Sequence, residues 1–203
     1  HQSETNSYLL SYWESLNVTQ NCQVFVPLSG KSLDLIWLYQ RGHLVLGVEV
    51  SELAVSQFFS ENNLAHKQLK QDVFHCYQAE SLVIFQGDFF NLTAKHLEGT
   101  QAVFDRAALV ALPPELRQNY VKHLIGILPD RAKILLVIFE YDQSQMSGPP
   151  FCVDKAEIES LYEDTFSIKL LMDQEVLNNY PQFMASGLKS LHEKVYLLEP
   201  KNY

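Results

Sequence analysis

The sequence predicts an α/β fold on a mostly parallel sheet, with an antiparallel strand pair at its C-terminal end. Five short apolar runs show little internal alternation, as strands buried on both faces do. Amphipathic helical stretches separate them, the pattern of βαβ units. Two last runs, near the C-terminus, have no long helix between them and so read as a hairpin-like pair. A length of 203 residues without internal repeat, low-complexity stretch or linker predicts a single domain over 1–203.

Val24-Phe25-Val26-Pro27-Leu28 is the first strand, broken by Ser29-Gly30. A helix follows in which Leu33, Ile36, Trp37 and Tyr39-Gln40 repeat at helical spacing before Gly42. Val45-Leu46-Gly47-Val48-Glu49 is the second strand, and Ser51 caps a helix carrying Leu53, Ala54, Phe58 and Phe59. Ser81–Phe85 and Ala102–Asp105 are the third and fourth strands. Pro113-Pro114-Glu115 opens another helix, with proline in its first turn. Ile134–Phe139 is the fifth strand and the most apolar run. Ser167–Leu171 and Val195–Leu198 form the last pair, and the Asn-, Pro- and Gly-containing stretch 178–187 reads as a loop. Tyr8, Tyr12 and Trp13 share one side of an N-terminal helix, a stripe that reads as core packing.

Composition narrows the function. Hydrophobic residues make up 47% of the chain, enough for a sizeable core, yet no run approaches the roughly 18–20 apolar residues of a membrane span. The start, His1-Gln2-Ser3-Glu4-Thr5-Asn6, is polar and has no signal-peptide pattern. A net charge of −9 with scattered basic residues argues against nucleic acid or a membrane surface as partner. Cys22, Cys76 and Cys152 are odd in number and lack paired spacing, which predicts a reducing cytoplasm. None of the seven histidines has metal-binding spacing, so no metal is expected. We expect a monomer acting on a small molecule.

In open parallel sheets, ligands collect at the carboxyl ends of the strands. Those tips here are Leu28-Ser29-Gly30-Lys31, Glu49, Gly87-Asp88-Phe89 and Asp105-Arg106, and three of the four carry an acid. Glu49 is placed to accept hydrogen bonds from ribose hydroxyls. Asp88 is placed to accept from an adenine amine, with Phe89 beside it for stacking. A phosphate loop would need its first glycine at Phe25, in mid-strand. A dinucleotide fingerprint would need glycines where Leu28 and Leu33 stand. The combination suits a nucleoside without phosphates, as in S-adenosylmethionine.

Val24-Phe25-Val26-Pro27-Leu28-Ser29-Gly30-Lys31-Ser32-Leu33-Asp34 resembles the "VFVPLCGKSLD" signature of the thiopurine S-methyltransferase family, and Gly42–Ser51 resembles its "GHxVVGVELS" segment. Gly87-Asp88-Phe89-Phe90, Asp105–Pro114 and Tyr141-Asp142-Gln143 through Gly148-Pro149-Pro150-Phe151 are similar to bacterial members, and the likeness runs from His1 to about Leu198. The resemblance implies a class I S-adenosylmethionine-dependent methyltransferase fold (Rossmann-like). It implies cofactor contacts at Leu28, Glu49 and Arg106, with Asp88 and Phe89 at the adenine. It also implies S-methylation of aromatic and heterocyclic thiols such as thiopurines; bacterial relatives are associated with selenium and tellurium compounds too. Two departures stand out. Ser29 replaces the family's usual Cys, and the N-terminal segment with a cofactor-covering Trp, which precedes "GFHQ" in the family, is absent from a chain that begins His1-Gln2.

Methyl transfer from a sulfonium is an in-line displacement needing orientation and a dry site more than a base. Arg106 is the candidate catalytic residue, holding the cofactor or favouring an ionised thiol acceptor. Gly30 and Lys31 join the cofactor set, Lys31 either neutralising the cofactor carboxylate or standing solvated at a helix start. Asp142 reads as a turn cap before it reads as a pocket residue. Phe151 offers an aromatic face or belongs to a rigid turn. A binding protein that holds S-adenosylmethionine without turnover and a dehydrogenase remain as alternatives.

Overall fold

The computed structural model describes residues 4–201. Residues 1–3, which carry the His1-Gln2 match, and 202–203 lie outside the described residues. The chain divides into two compact units, one running to Phe104 and including Gly126–Ala132, the other made of Asp105–Ile125 and the chain from Lys133 onward.

In the first unit, α1 (Ser7–Tyr12) precedes β1 (Gln23–Val26), α2 (Leu33–Gln40), β2 (Leu44–Glu49) and α3 (Glu52–Glu61). β3 (Lys67–Gln71), β4 (Phe74–Ala79), β5 (Leu82–Gln86) and β6 (Thr100–Asp105) follow. The strands lie in the order β3-β4-β5-β2-β1-β6. β1 pairs in parallel with β2 and β6, and β2 in parallel with β5, while β4 runs antiparallel to both β3 and β5. The parallel strands are the predicted apolar runs. The β3–β4 hairpin was not among the predicted elements; every residue of Lys-Gln-Leu-Lys-Gln in β3 is exposed and no apolar period marks it, while β4 is mostly buried but carries His75 and Gln78 among its apolar residues.

Asn6 caps α1 by accepting from the amides of Tyr8 and Leu9. Trp13 is buried just beyond it, edge-on to Trp37 at 6.2 Å and to His43 at 5.0 Å. The predicted core role of this stripe therefore holds for Trp13. The first strand ends two residues earlier than the apolar run suggests. Pro27 has no amide to donate, and Leu28 takes a left-handed φ of +45°, which costs a branched residue about 1 kcal/mol.

In the second unit, α4 (Pro114–Ile127) begins at the predicted proline, and β7 (Lys133–Glu140) is the predicted fifth strand. α5 (Lys155–Tyr162), β8 (Phe166–Glu175), α6 (Pro181–Ala185) and β9 (His192–Pro200) complete it. β9 lies between β7 and β8 and is antiparallel to both, as the C-terminal pair predicts. The 178–187 stretch is not simply a loop. Pro181 sets the first turn of α6, and Tyr180 and Phe183 pack against a buried cluster of Tyr141, Val176, Leu177, Leu188 and Leu191. Among the described residues, no helix is long and apolar enough to cross a membrane.

Candidate active site

Three strand tips of the first unit are tied into one rim by Glu49. Its Oε2 accepts from the Gly30 amide at 2.8 Å and its Oε1 from the Ser51 amide at 2.8 Å. Its carbonyl accepts from the Gly87 amide at 2.9 Å. One residue at the end of β2 thus fixes the loop after β1, the start of α3 and the turn after β5. A carboxylate has about four lone-pair sites, so a half-exposed Glu49 that has engaged two amides keeps acceptor capacity for two hydroxyls.

Gly30 has a left-handed φ of +53°, and an added Cβ would meet nothing within 4 Å. A ligand can therefore approach the backbone closely there. Gly47 is needed for a different reason. A Cβ on it would lie 2.9 Å from the Ser29 hydroxyl, which is buried and has no hydrogen-bond partner among the described residues. Ser29→Ala removes that unsatisfied hydroxyl. Its urea midpoint should rise by the equivalent of about 1 kcal/mol with unchanged slope; a fall would mean that the hydroxyl is satisfied in solution.

The other predicted rim residues fall unevenly. Lys31 is ion-paired with Glu61 at 2.6 Å. Asp88 is exposed and accepts from the Phe90 amide at 2.9 Å, capping a one-turn helix. Phe89 is buried, whereas Phe90, with its ring centroid 5.4 Å away, is 48% exposed. Beside Glu49, Val50 is 70% exposed and Leu53 68% exposed. Sequence reasoning passed over Val50, Leu53 and Phe90. Their signal was an apolar residue at a strand tip or helix start, where burial is hard to achieve. Apolar surface beside a carboxylate with spare acceptor sites suits a flat ring attached to a diol. Lys31, the one lysine or arginine in the predicted tip loops of this unit, already has a carboxylate partner, so nothing in this rim favours a pyrophosphate.

Asp105 does not present a carboxylate at a tip. It is fully buried in the second unit, where Oδ2 accepts from the Tyr120 hydroxyl at 2.6 Å and Oδ1 from the amides of Ala108 and Leu109 at 3.2 and 3.3 Å. Burial raises its pKa, opposed by these hydrogen bonds. An acid after a strand can serve the turn instead of the ligand, and Asp105 braces the turn that carries Arg106. Asp105→Ala strands a buried phenol and two amides. It should cost on the order of 3 kcal/mol in denaturant unfolding, and a loss below about 1 kcal/mol would contradict this bracing role. Arg106 is half-buried and engaged in an interaction of its own.

Around Tyr141 the second unit forms a rigid corner. The Tyr141 hydroxyl donates to the Pro150 carbonyl at 2.7 Å, and the Phe151 amide donates to the Val110 carbonyl at 2.7 Å. Asp142 accepts from the Ser144 amide at 3.0 Å and the Gln145 side chain at 3.0 Å, which makes it a turn cap. Phe139, Met146, Cys152, Tyr180 and Phe183 add partly buried apolar surface.

The thiols of the protein itself are poor nucleophiles. Cys22 lies 3.3 Å from the His43 ring, but burial pushes the thiol up to about 11 and lowers the imidazole, leaving both neutral. Burial also raises Cys76 and Cys152. Among the described residues no group of three His, Cys, Asp or Glu could hold a metal ion.

Solved structures of S-adenosylmethionine-dependent methyltransferases share this α/β fold. The Burkholderia thailandensis 1,6-didemethyltoxoflavin-N1-methyltransferase, solved with S-adenosylhomocysteine, matches with a TM-score of 0.60 at 15% identity, over 97% of this chain and 76% of that one. An S-adenosylmethionine-dependent methyltransferase from Anabaena variabilis matches with a TM-score of 0.65 at 12% identity, over 96% and 84%. The chain belongs to the thiopurine S-methyltransferase (TPMT) family, whose sequence profile matches residues 1–201. Thiopurine S-methyltransferase of Nitrosospira multiformis is 47% identical over 198 residues, 98% of this chain and 90% of the relative. That of Pseudomonas fluorescens is 46% identical over 97% and 90%. The protein is thus a methyltransferase, and S-adenosylmethionine is its methyl donor.

Proposed function

We propose that this enzyme methylates the sulfur of small aromatic or heterocyclic thiols, thiopurines among them, and that 1–203 works as one methyltransferase domain. The observation that carries the donor's place in this reading is the doubly anchored Glu49 at the centre of the rim. The family match over nearly the whole chain supports the acceptor class and the single domain.

When bound, S-adenosylmethionine supplies a methyl group already activated on a sulfonium. The chain's own residues bind and orient. Glu49 accepts hydrogen bonds from the two ribose hydroxyls through its remaining lone pairs. Leu28 and Gly30 let the backbone approach the donor, Gly30 because open space lies above it. Asp88 would accept from the adenine amine, with Phe89 and Phe90 beside the ring. Lys31 reaches the donor carboxylate only by loosening its Glu61 partner, so its share is small. Arg106 favours the thiolate over the thiol, because a nearby cation lowers a thiol's pKa. It can also contact the donor.

We further propose a cytoplasmic monomer that does not bind nucleic acid. Three free cysteines suit a reducing compartment, and a net charge of −9 repels phosphate backbones. The test is calorimetric titration with S-adenosylhomocysteine, followed by methyl transfer from labelled donor to a panel of heteroaromatic thiols, alkyl thiols and oxygen nucleophiles. Donor binding with product only from thiols supports the reading. Donor binding without product from any acceptor makes the protein a non-catalytic binder. Product only from oxygen nucleophiles refutes the acceptor class.

A further inference from the structure

The first unit buries a second carboxylate beside the loop after β1. Asp34, in the first turn of α2, is 2% exposed. Burying a carboxylate is costly unless hydrogen bonds compensate. Its Oδ1 accepts from the Asn6 amide at 2.7 Å, and its Oδ2 accepts from the Ser32 hydroxyl at 2.7 Å. Its place in the first turn of a helix adds the favourable end of the helix dipole.

The two partners belong to different parts of the chain. Asn6 is 4% exposed and starts α1, its side chain accepting from the amides of Tyr8 and Leu9 and its carbonyl from that of Leu10. Ser32 caps α2 by accepting from the Asp34 amide at 3.2 Å. Its own amide donates to the Ser29 carbonyl at 3.1 Å, which closes the loop of residues 27–32. That loop is therefore pinned twice, at Gly30 by Glu49 and at Ser32 by Asp34. Glu49 ties it to neighbouring strand tips, whereas Asp34 ties it to a residue twenty-eight positions earlier.

We propose that Asp34 is a positioning residue for the methyl donor. Through Ser32 it fixes the loop on which the donor lies, and through Asn6 it makes the docking of α1 part of the same cooperative unit. The proposal rests on the reading of Leu28 and Gly30 as donor contacts. The carboxylate acts through the loop and does not touch the donor. Coupling of this kind is reciprocal. Whatever affinity the donor gains from a docked α1, α1 gains in stability from a bound donor.

The test uses the full chain with S-adenosylhomocysteine as probe, read by calorimetry and by hydrogen exchange of two α1 amides. These are Leu10, bonded to the Asn6 carbonyl, and Trp13, bonded to that of Leu9. Amides of α5 report general stabilisation. In the parent, saturating probe should slow the α1 amides about tenfold more than those of α5. Asp34→Ala should weaken probe affinity about tenfold and reduce that extra slowing to less than about twofold. Ser32→Ala leaves the Asn6–Asp34 bond in place but cuts the link to the loop. It should also lose the extra slowing, while α1 without probe exchanges as in the parent.

An Asp34 that only holds α1 in place gives another pattern. Asp34→Ala then speeds α1 exchange, yet probe affinity stays within about twofold of the parent, and the proposal is overturned. A parent whose α1 amides slow no more than those of α5 overturns it too. Glu49→Ala separates this failure from that of the donor site. If Glu49→Ala loses affinity and Asp34→Ala keeps it, only the positioning role falls. If both keep it, the rim itself is not the donor site. Should Asp34→Ala not fold, Ser32→Ala decides the matter alone.

Discussion

Arg106→Ala should lose methyl transfer by about 100-fold or more while S-adenosylhomocysteine affinity changes by less than about threefold. The asymmetry follows from what the side chain is asked to do. A thiol attacks only as thiolate, and a guanidinium near the sulfur stabilises that form. Without it the acceptor's pKa returns upward, so less thiolate exists at neutral pH. The variant's rate should therefore recover in part as pH rises through the free thiol's own pKa, whereas the parent's profile flattens at lower pH. The brace beneath the turn, Asp105 with Tyr120 and the amides of Ala108 and Leu109, keeps the backbone in place when the side chain is removed. Steady-state kinetics with one heteroaromatic thiol across a pH series, beside a calorimetric titration, checks this. A fall in donor affinity that matches the fall in turnover would reassign Arg106 to the cofactor.

Glu49→Ala should weaken S-adenosylhomocysteine binding by about 1–3 kcal/mol, on the order of 5- to 150-fold, because two hydroxyls lose a charged acceptor. This residue carries a second burden. The same carboxylate holds the amides of Gly30 and Ser51, so the unliganded variant should also melt earlier. The two effects separate by comparing the variant's melting without ligand with its affinity at a temperature where both forms are folded. Glu49→Gln keeps acceptor oxygen but loses charge, and should fall between. An unchanged dissociation constant in the alanine variant would remove Glu49 from the ligand set.

The parallel strands and β9 were legible because burial on both faces writes itself as an apolar run, whereas β8, largely exposed, was legible only from the apolar residues Ile168, Leu170 and Leu171. Glu49 was legible for a positional reason, an acid ending the second such run. β3 was not, since a strand exposed along its whole length has no hydrophobic period to read. The short helix at Pro181 was hidden by its length, five residues among turn-forming types. Asp105 shows a deeper limit. Strand-end acids look alike in sequence, and only the fold decides whether one turns outward to a ligand or inward to a phenol and two amides. The part played by Asp34 was hidden for a related reason, because nothing beside it in sequence announces Asn6 twenty-eight positions earlier.

The outermost strand has a bearing on how the protein behaves in a crowded solution. β3 ends the sheet of its unit, and its far side offers amides and carbonyls that a stray extended chain could zip onto. Side chains along a strand alternate between faces, so Lys67 and Lys70 put one ammonium group on each. Any added strand would have to strip water from both charges. The hairpin thus acts as a guard rail against runaway strand addition, at the cost of leaving Leu69 and Val73 exposed.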